Sequence, residues 1–340
     1  MMICIHPRPE SFSDRWIEIC KQRQLPFTTL DLLETNILRR LREVNATIVL
    51  FHLPYENPVI ALRGKHLSKL MGFMGIKVFP NEQTGWHFDD KLAQKYLFEA
   101  FEIPCCPTYC FYSRQAALDW AAATPFPKVW KLATGAGSDN VRLVRSQADA
   151  RRLIHRAFGP GFQPIRSIFG DFRTRVFQHQ KRRDWAETVR RLPRTIAEVS
   201  FARKLAARER GYAYFQDFMP GNDYDTRITV IGDRAFAFRR FVRPEDFRAS
   251  GSGRIDWDPK AIDLQCVEIA YEAVQRIGAQ CLAFDFIYDA QRKPVVVEIS
   301  YGFAAQVVHQ CPGFWDPNLV FQKGCVWPQD AILDDLLKKA

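Results

Sequence analysis

None of the nine cysteines forms a Cys-x-x-Cys pair. The nearest approach to a cluster, Cys105-Cys106 with Cys110, lacks a second ligand pair, which argues against a structural zinc site. An odd, scattered set of this kind reads as reduced, buried thiols, and the expected location is the cytoplasm. No stretch approaches the ~20 apolar residues of a spanning helix, so no membrane association is expected. The opening segment MMICIHPRPE has no basic run followed by an apolar core, which argues against a secretory signal. Walker and G-x-G-x-x-G sequences are absent. So are G-x-S-x-G and H-E-x-x-H, against an α/β-hydrolase or a zincin. There is no internal repeat and no low-complexity tract. What is present is an ordinary globular composition. The 340 residues are 47% hydrophobic and 25% charged, enough for two or three units.

The net charge of +10 is unevenly spread. Between Arg142 and Arg210, 18 Lys and Arg face 6 Asp and Glu, a balance of +12 that leaves −2 for the rest. A solvated helical surface, a face for an anionic substrate and a face for nucleic acid all fit this block. No nucleic-acid-binding motif accompanies it.

The first ~85 residues alternate strand and helix signals. Strands are expected at 3–5, 27–32, 46–53 and 77–80, and helices at 12–23, 37–44 and 61–74. This pattern predicts a small parallel α/β domain. Helices follow at 88–101, with Asp89 or Asp90 near the start, and at 114–123. A strand at 126–132 runs into Gly135-Ala136-Gly137-Ser138, and a second strand follows at 140–145. The glycine loop therefore joins a hairpin. The basic block predicts helices at 148–157 and 197–210. Strands at 212–218, 226–231 and 235–241 are expected to pair antiparallel, with turns at Pro220-Gly221 and Gly232-Asp233. A helix at 260–277 precedes a last strand pair, 281–288 and 294–300.

That pair carries the clearest chemistry. With a period of two, Asp285 shares a face with Ala283 and Ile287, and Glu298 with Val296 and Ser300. If both strands bury their apolar faces on one side, Asp285, Glu298 and Ser300 project together. Opposed carboxylates lie only about 5 Å apart and repel. Either Mg²⁺, which takes carboxylate oxygens and substrate phosphates, or the chain's many arginines can satisfy them. The glycine loop, with Lys131 ending the strand before it, suits phosphate oxygens or an ordinary turn. The segment Gln216-Asp217-Phe218-Met219-Pro220-Gly221-Asn222-Asp223 suits a nucleobase edge and a ribose, or again a β-turn. Arg227, Arg239, Arg240 and Arg248 suit an oxyanion or phosphate. Arg239 and Arg240 are adjacent, so at most one of them faces a site.

The order of these elements resembles the ATP-grasp superfamily, in particular ribosomal-protein glutamate ligases and D-alanine–D-alanine ligases. Asp90-Lys91-Leu92, Pro127-Lys128-Val129-Trp130-Lys131 before the glycine loop, Gln216 to Met219, Asp225-Thr226-Arg227, Asp246-Phe247-Arg248, and Asp285 with Glu298-Ile299-Ser300 carry the resemblance. It implies an α/β (α+β grasp) fold: a pre-grasp α/β domain (1–85), a first grasp lobe (86–210) and a second lobe (211–340). It implies an ATP-dependent ligase that activates a carboxylate as an acylphosphate and joins it to an amine. In that scheme Lys91 and Lys131 meet the α- and β-phosphates, and Gly135, Gly137 and Ser138 close over them. Gln216, Asp217 and Met219 hold adenine and Asp223 the ribose. Asp285, Glu298 and Ser300 hold Mg²⁺, with Mn²⁺ as the alternative cation. Arg248 stabilises the acylphosphate and Arg227 orients an acidic group. Ser300 replaces the usual asparagine, and Gln216 the acid of many relatives. The implied partner is an anionic small molecule or peptide, with no specific nucleic acid; a homodimer is compatible. A phosphotransferase on a small molecule or sugar, and a nucleotide-binding protein with weakened catalysis, are the alternatives.

Overall fold

A computed structural model describes residues 1–52, 57–135, 140–164, 207–243, 246–249 and 253–338. Among them, three sheets organise the chain. The first is four-stranded and parallel, in the order β2-β1-β3-β4. Its strands are β1 (Ile3–Ile5), β2 (Phe27–Thr29), β3 (Ile48–Leu50) and β4 (Lys77–Phe79), joined by helices α1 (Phe12–Gln22), α2 (Ile37–Glu43) and α3 (Pro58–Phe73). Every residue of β1 and β3 is buried, as strands covered on both faces require. The expected α/β unit is therefore present.

Two helices lead onward, α4 (Glu82–Gly85) and α5 (Lys91–Ala100). The helix expected to start at 88 starts at Lys91, because the Asp90 carboxylate accepts from the Leu92 and Ala93 amides and fixes the N-terminus there. The second sheet is antiparallel, in the order β5-β8-β6-β7. It comprises β5 (Thr108–Phe111), β6 (Lys128–Lys131), β7 (Val141–Val144) and β8 (Ala213–Asp217), covered by α6 (Arg114–Ala123) and α7 (Gln147–Ala157). Trp130, Phe215, Ala117 and Ile154 form its core. β6 and β7 make the expected hairpin around the glycine loop.

β8 corrects one expectation. It pairs with β5 and β6 and not with the strands that follow it. The helix expected at 197–210 lies outside the described residues up to 206. Its last part is not helical: Glu209 bridges Phe162.

The third sheet has seven strands, in the order β13-β12-β9-β10-β14-β15 with β11 paired to β10. They are β9 (Tyr224–Ile231), β10 (Arg234–Phe241), β11 (Ile255–Asp256), β12 (Cys281–Tyr288), β13 (Pro294–Ser300), β14 (Gly313–Trp315) and β15 (Phe321–Lys323). α8 (Leu264–Ile277) backs it, capped by Asp263 and ended by Gly278 at φ 72°. The aspartate cap explains why α8 starts after the expected residue 260. α9 (Ala305–His309) and α10 (Pro328–Lys338) complete the chain. Trp16 donates from Nε1 to Gln329 O at 3.0 Å, and Arg15 pairs with Asp330, so the last helix is fastened to the first.

Candidate active site

The register of the third sheet builds the site. Arg227 on β9 stands opposite Asp285 on β12, and Asp285 stands opposite Glu298 on β13. Three charged side chains thus form one row across three strands. A bulge between Asp285 and Phe286 shifts the pairing, so that Phe286 opposes Val296. This corrects the expected alternation on β13. Val296 turns into the core with Phe286, while Val295 and Val297 are half-buried.

Asp285 is gripped by arginines. Arg227 donates to it twice, from Nε and Nη2, each at 2.7 Å. Arg240 reaches it from Nη2 at 2.9 Å. Arg240 also donates to Asp225, at 2.7 and 2.6 Å. Burial pushes the Asp285 carboxyl up, but the two guanidiniums outweigh it and hold the group well below the usual carboxylate range. For Asp225, burial prevails over the pull of Arg240, and its pKa is raised. Arg239, on the other face of β10, pairs with Asp256 and lies over the Tyr224 ring.

Two lysines arrive from elsewhere in the chain. Lys91 opens α5 and Gln94 lies one turn on, on the same helical face. Gln94 donates to Ile299 O at 2.9 Å and accepts from Ile299 N at 3.3 Å, which locks α5 onto β13. Lys91 Nζ then meets Glu298 at 3.1 Å and donates to Gly135 O at 2.8 Å. Lys131 ends β6, is 7% exposed, and has no hydrogen-bond or ion-pair partner among the described residues. Burial lowers its pKa against the opposing pull of Glu298, with Lys91 close enough to add to the fall. Burial acts on Lys91 in the same sense, but Glu298 and Asp89 outweigh it and its pKa is raised. Lys91, Lys131, Asp285 and Glu298 therefore share one electrostatic neighbourhood.

The remaining candidates divide. Gln216 is buried and donates to Thr108 Oγ1 at 3.2 Å. Asp217 pairs with Lys128 Nζ at 2.5 Å. Met219 O accepts from Asn222, whose side chain also bonds the Tyr288 backbone and so ties this turn to the end of β12. Asp223 is exposed and borders a cleft of about 480 Å³ with Val242, Asp246 and Phe247. Arg248 is held by Asp246 through Nε at 2.9 Å and Nη2 at 2.7 Å. Ser300 stands opposite Ala283, and its hydroxyl both donates to and accepts from the Gly302 backbone at 3.0 Å. Gly135 has φ +110°, and a Cβ there would collide with Asn140. Gly137 and Ser138 lie outside the described residues. Sequence reasoning missed the part of Asp225, whose pairing with Arg240 depends on strand register, and of Asp89, which accepts from Gly135 N at 2.7 Å.

Among the described residues, no three His, Cys, Asp or Glu side chains gather as a cation site. Mg²⁺ asks for less: one or two carboxylates, with phosphates and water supplying the other oxygens. Glu298, whose side chain is partly exposed, fits that smaller role, whereas Asp285 already accepts three bonds from Arg227 and Arg240. The Ser300 hydroxyl is already engaged in its turn.

No protein-family model and no curated protein matches the chain. Solved structures do. A RimK-domain ATP-grasp protein from Sphaerobacter thermophilus is 15% identical, with a TM-score of 0.56 over 99% of this chain and 100% of that one. The ATP-grasp ligase PsnB, solved with minimal precursor, Mg and ADP, is 13% identical, with a TM-score of 0.55 over 99% and 98%. D-alanine–D-alanine ligase from Bacillus anthracis is 10% identical, with a TM-score of 0.53 over 99% and 97%. The chain has the ATP-grasp fold that these structures share. Among the described residues, no helix is long and apolar enough to cross a membrane.

Proposed function

We propose that this chain is an ATP-dependent ligase that activates a carboxylate as an acylphosphate and joins it to an amine, releasing ADP and phosphate. The observation that carries the proposal is the convergence of Lys91 and Lys131, from α5 and β6, on the Asp285–Glu298 row. Two buried ammonium groups beside opposed carboxylates suit a polyanion that brings its own cation. Phosphoryl transfer asks for such positioning and charge neutralisation more than for covalent chemistry by the protein.

In this proposal Lys91 and Lys131 bind the α- and β-phosphates. The glycine loop covers them and excludes water, which protects an acylphosphate from hydrolysis. Gln216, Asp217 and Met219 bind the adenine edge and Asp223 the ribose. Asp285, by giving up an arginine bond, and Glu298 would hold Mg²⁺, with Mn²⁺ as the alternative; the cation would supply neutralisation of charge on the transferred phosphoryl group. Arg227 orients the acidic group of the substrate, and Arg248 stabilises negative charge as the amine attacks. The +12 balance of residues 142–210 supports an anionic substrate, a small molecule or a peptide. The engaged Ser300 hydroxyl favours one second reading, a nucleotide-binding protein with weakened catalysis.

Purified protein with Mg-ATP should release phosphate only when a matching carboxylate and amine are both present. Hydroxylamine should trap the activated acyl group during turnover. Transfer to a hydroxyl with no trapped hydroxamate would identify a phosphotransferase. Nucleotide binding without phosphate release across a broad screen would favour the weakened-catalysis reading.

A further inference from the structure

We propose that Glu209 is a positioning residue that fixes the root of the glycine loop and thereby sets nucleotide affinity. This rests on the nucleotide reading of the site given above. Residues 133–135 lead from β6 into the loop, and their three successive amides each donate to a carboxylate. Ala133 N reaches Glu209 Oε2 at 2.9 Å, Thr134 N reaches Glu209 Oε1 at 3.3 Å, and Gly135 N reaches Asp89. The Thr134 hydroxyl and the Tyr212 phenol also donate to Glu209 at short range. Four donors from three residues thus converge on one carboxylate. Burial, with Glu209 beside it, holds the Tyr212 phenol protonated, so it remains a donor.

The carboxylate is mounted on a fixed backbone. Glu209 exchanges both main-chain bonds with Phe162 at 2.9 Å. Phe162 is buried against Trp130, the residue before Lys131, at 5.5 Å between ring centroids. The approach of this backbone requires Gly161, where a Cβ would come within 2.7 Å of Glu209 O. From the other side, Lys91 holds the same root through Gly135 O at 2.8 Å and, from its own amide, Ala133 O at 3.0 Å. Glu209 is also among the carboxylates that keep Lys91 charged. The loop root is therefore clamped between Glu209 with Tyr212 and Asp89 with Lys91. A root held in one pose lowers the ordering cost of binding a phosphate beside Lys91 and Gly135.

The test compares the full-length wild type with Glu209→Ala, Glu209→Gln and Tyr212→Phe. The measurements are amide hydrogen exchange without nucleotide and Mg-ADP affinity by calorimetry. Glu209→Ala should speed exchange at 133–135 and weaken Mg-ADP by about tenfold to a hundredfold, the scale of hydrogen bonds to a charged group. Exchange in β12 and β13 should not change. Glu209→Gln, which keeps one acceptor, should recover part of the affinity, and Tyr212→Phe should lose less than Glu209→Ala. If Glu209→Ala does not fold, the near-isosteric Gln and Phe variants carry the comparison. Wild-type affinity and exchange in the variants would overturn the positioning role alone. A wild type that binds no Mg-ADP would overturn the nucleotide reading, and the positioning role with it, whatever the exchange rates.

Discussion

Replacing Arg240 with methionine probes the ion network beneath the candidate site. Arg240 is 7% exposed and donates twice to Asp225 and once to Asp285. Asp285 keeps both bonds from Arg227 after the change. Asp225 loses its partner and, among the described residues, has no other. Removing one partner of a buried pair costs about 3–5 kcal/mol, because the remaining charge stays desolvated. Arg240→Met should therefore lower the unfolding free energy by about that amount at neutral pH, read by urea denaturation. Adding Asp225→Asn should recover much of the loss. The pH dependence has a fixed sign. The folded-state pKa of Asp225 is already raised by burial and rises further without Arg240. An acid with a raised folded pKa is penalised above that value, so the deficit should shrink as the pH falls through it. A deficit under about 1 kcal/mol, the scale of an exposed pair, or one that grows on acidification, would refute the buried-pair reasoning.

Gln94→Ala removes both bonds to the Ile299 backbone. It should cost about 1–3 kcal/mol and weaken Mg-ADP binding by displacing Lys91, as unfolding and calorimetry will show. His87 is fully buried with no partner for either ring nitrogen among the described residues, and burial pushes its pKa from 6.5 to about 4. The unfolded state takes up this proton first, so stability present above about 6.5 should be lost as the pH falls toward 4. The loss is on the order of 3 kcal/mol, and a pH series of urea midpoints should show a smaller acid limb in His87→Leu. If the basic block acts on nucleic acid only through non-specific attraction, any mobility shift should vanish at moderate salt and show no sequence preference.

Much of the fold is legible locally. The buried runs of β1 and β3 and the glycine hairpin each leave a mark within a few residues, whereas the Asp90 and Asp263 caps start their helices later than the apolar spacing suggests. The placing of Asp285, Glu298 and Ser300 on one face leaves such a mark too. The partner of β8 does not, because the strand is equally apolar whichever sheet receives it. The bulge at Asp285 breaks a period that sequence can only assume to be regular. The sequence left open whether cation or arginine satisfies the opposed carboxylates. Arg227 and Arg240 satisfy Asp285 here, through the registers of β9, β10 and β12, which no local spacing reveals, and Lys91 meets Glu298. Glu209 was hidden for a similar reason: in sequence it is one acid within a basic run, and its meaning comes from the loop root it meets in space.

Titration calorimetry of Mg-ADP into the wild type and Lys131→Met tests the central claim most directly. A phosphate site built on Lys91, Lys131, Asp285 and Glu298 predicts one binding event in the wild type. It also predicts at least a tenfold loss in Lys131→Met, which removes a charged donor, with the unfolding midpoint maintained. No binding by the wild type, or equal affinity in the variant, would contradict it.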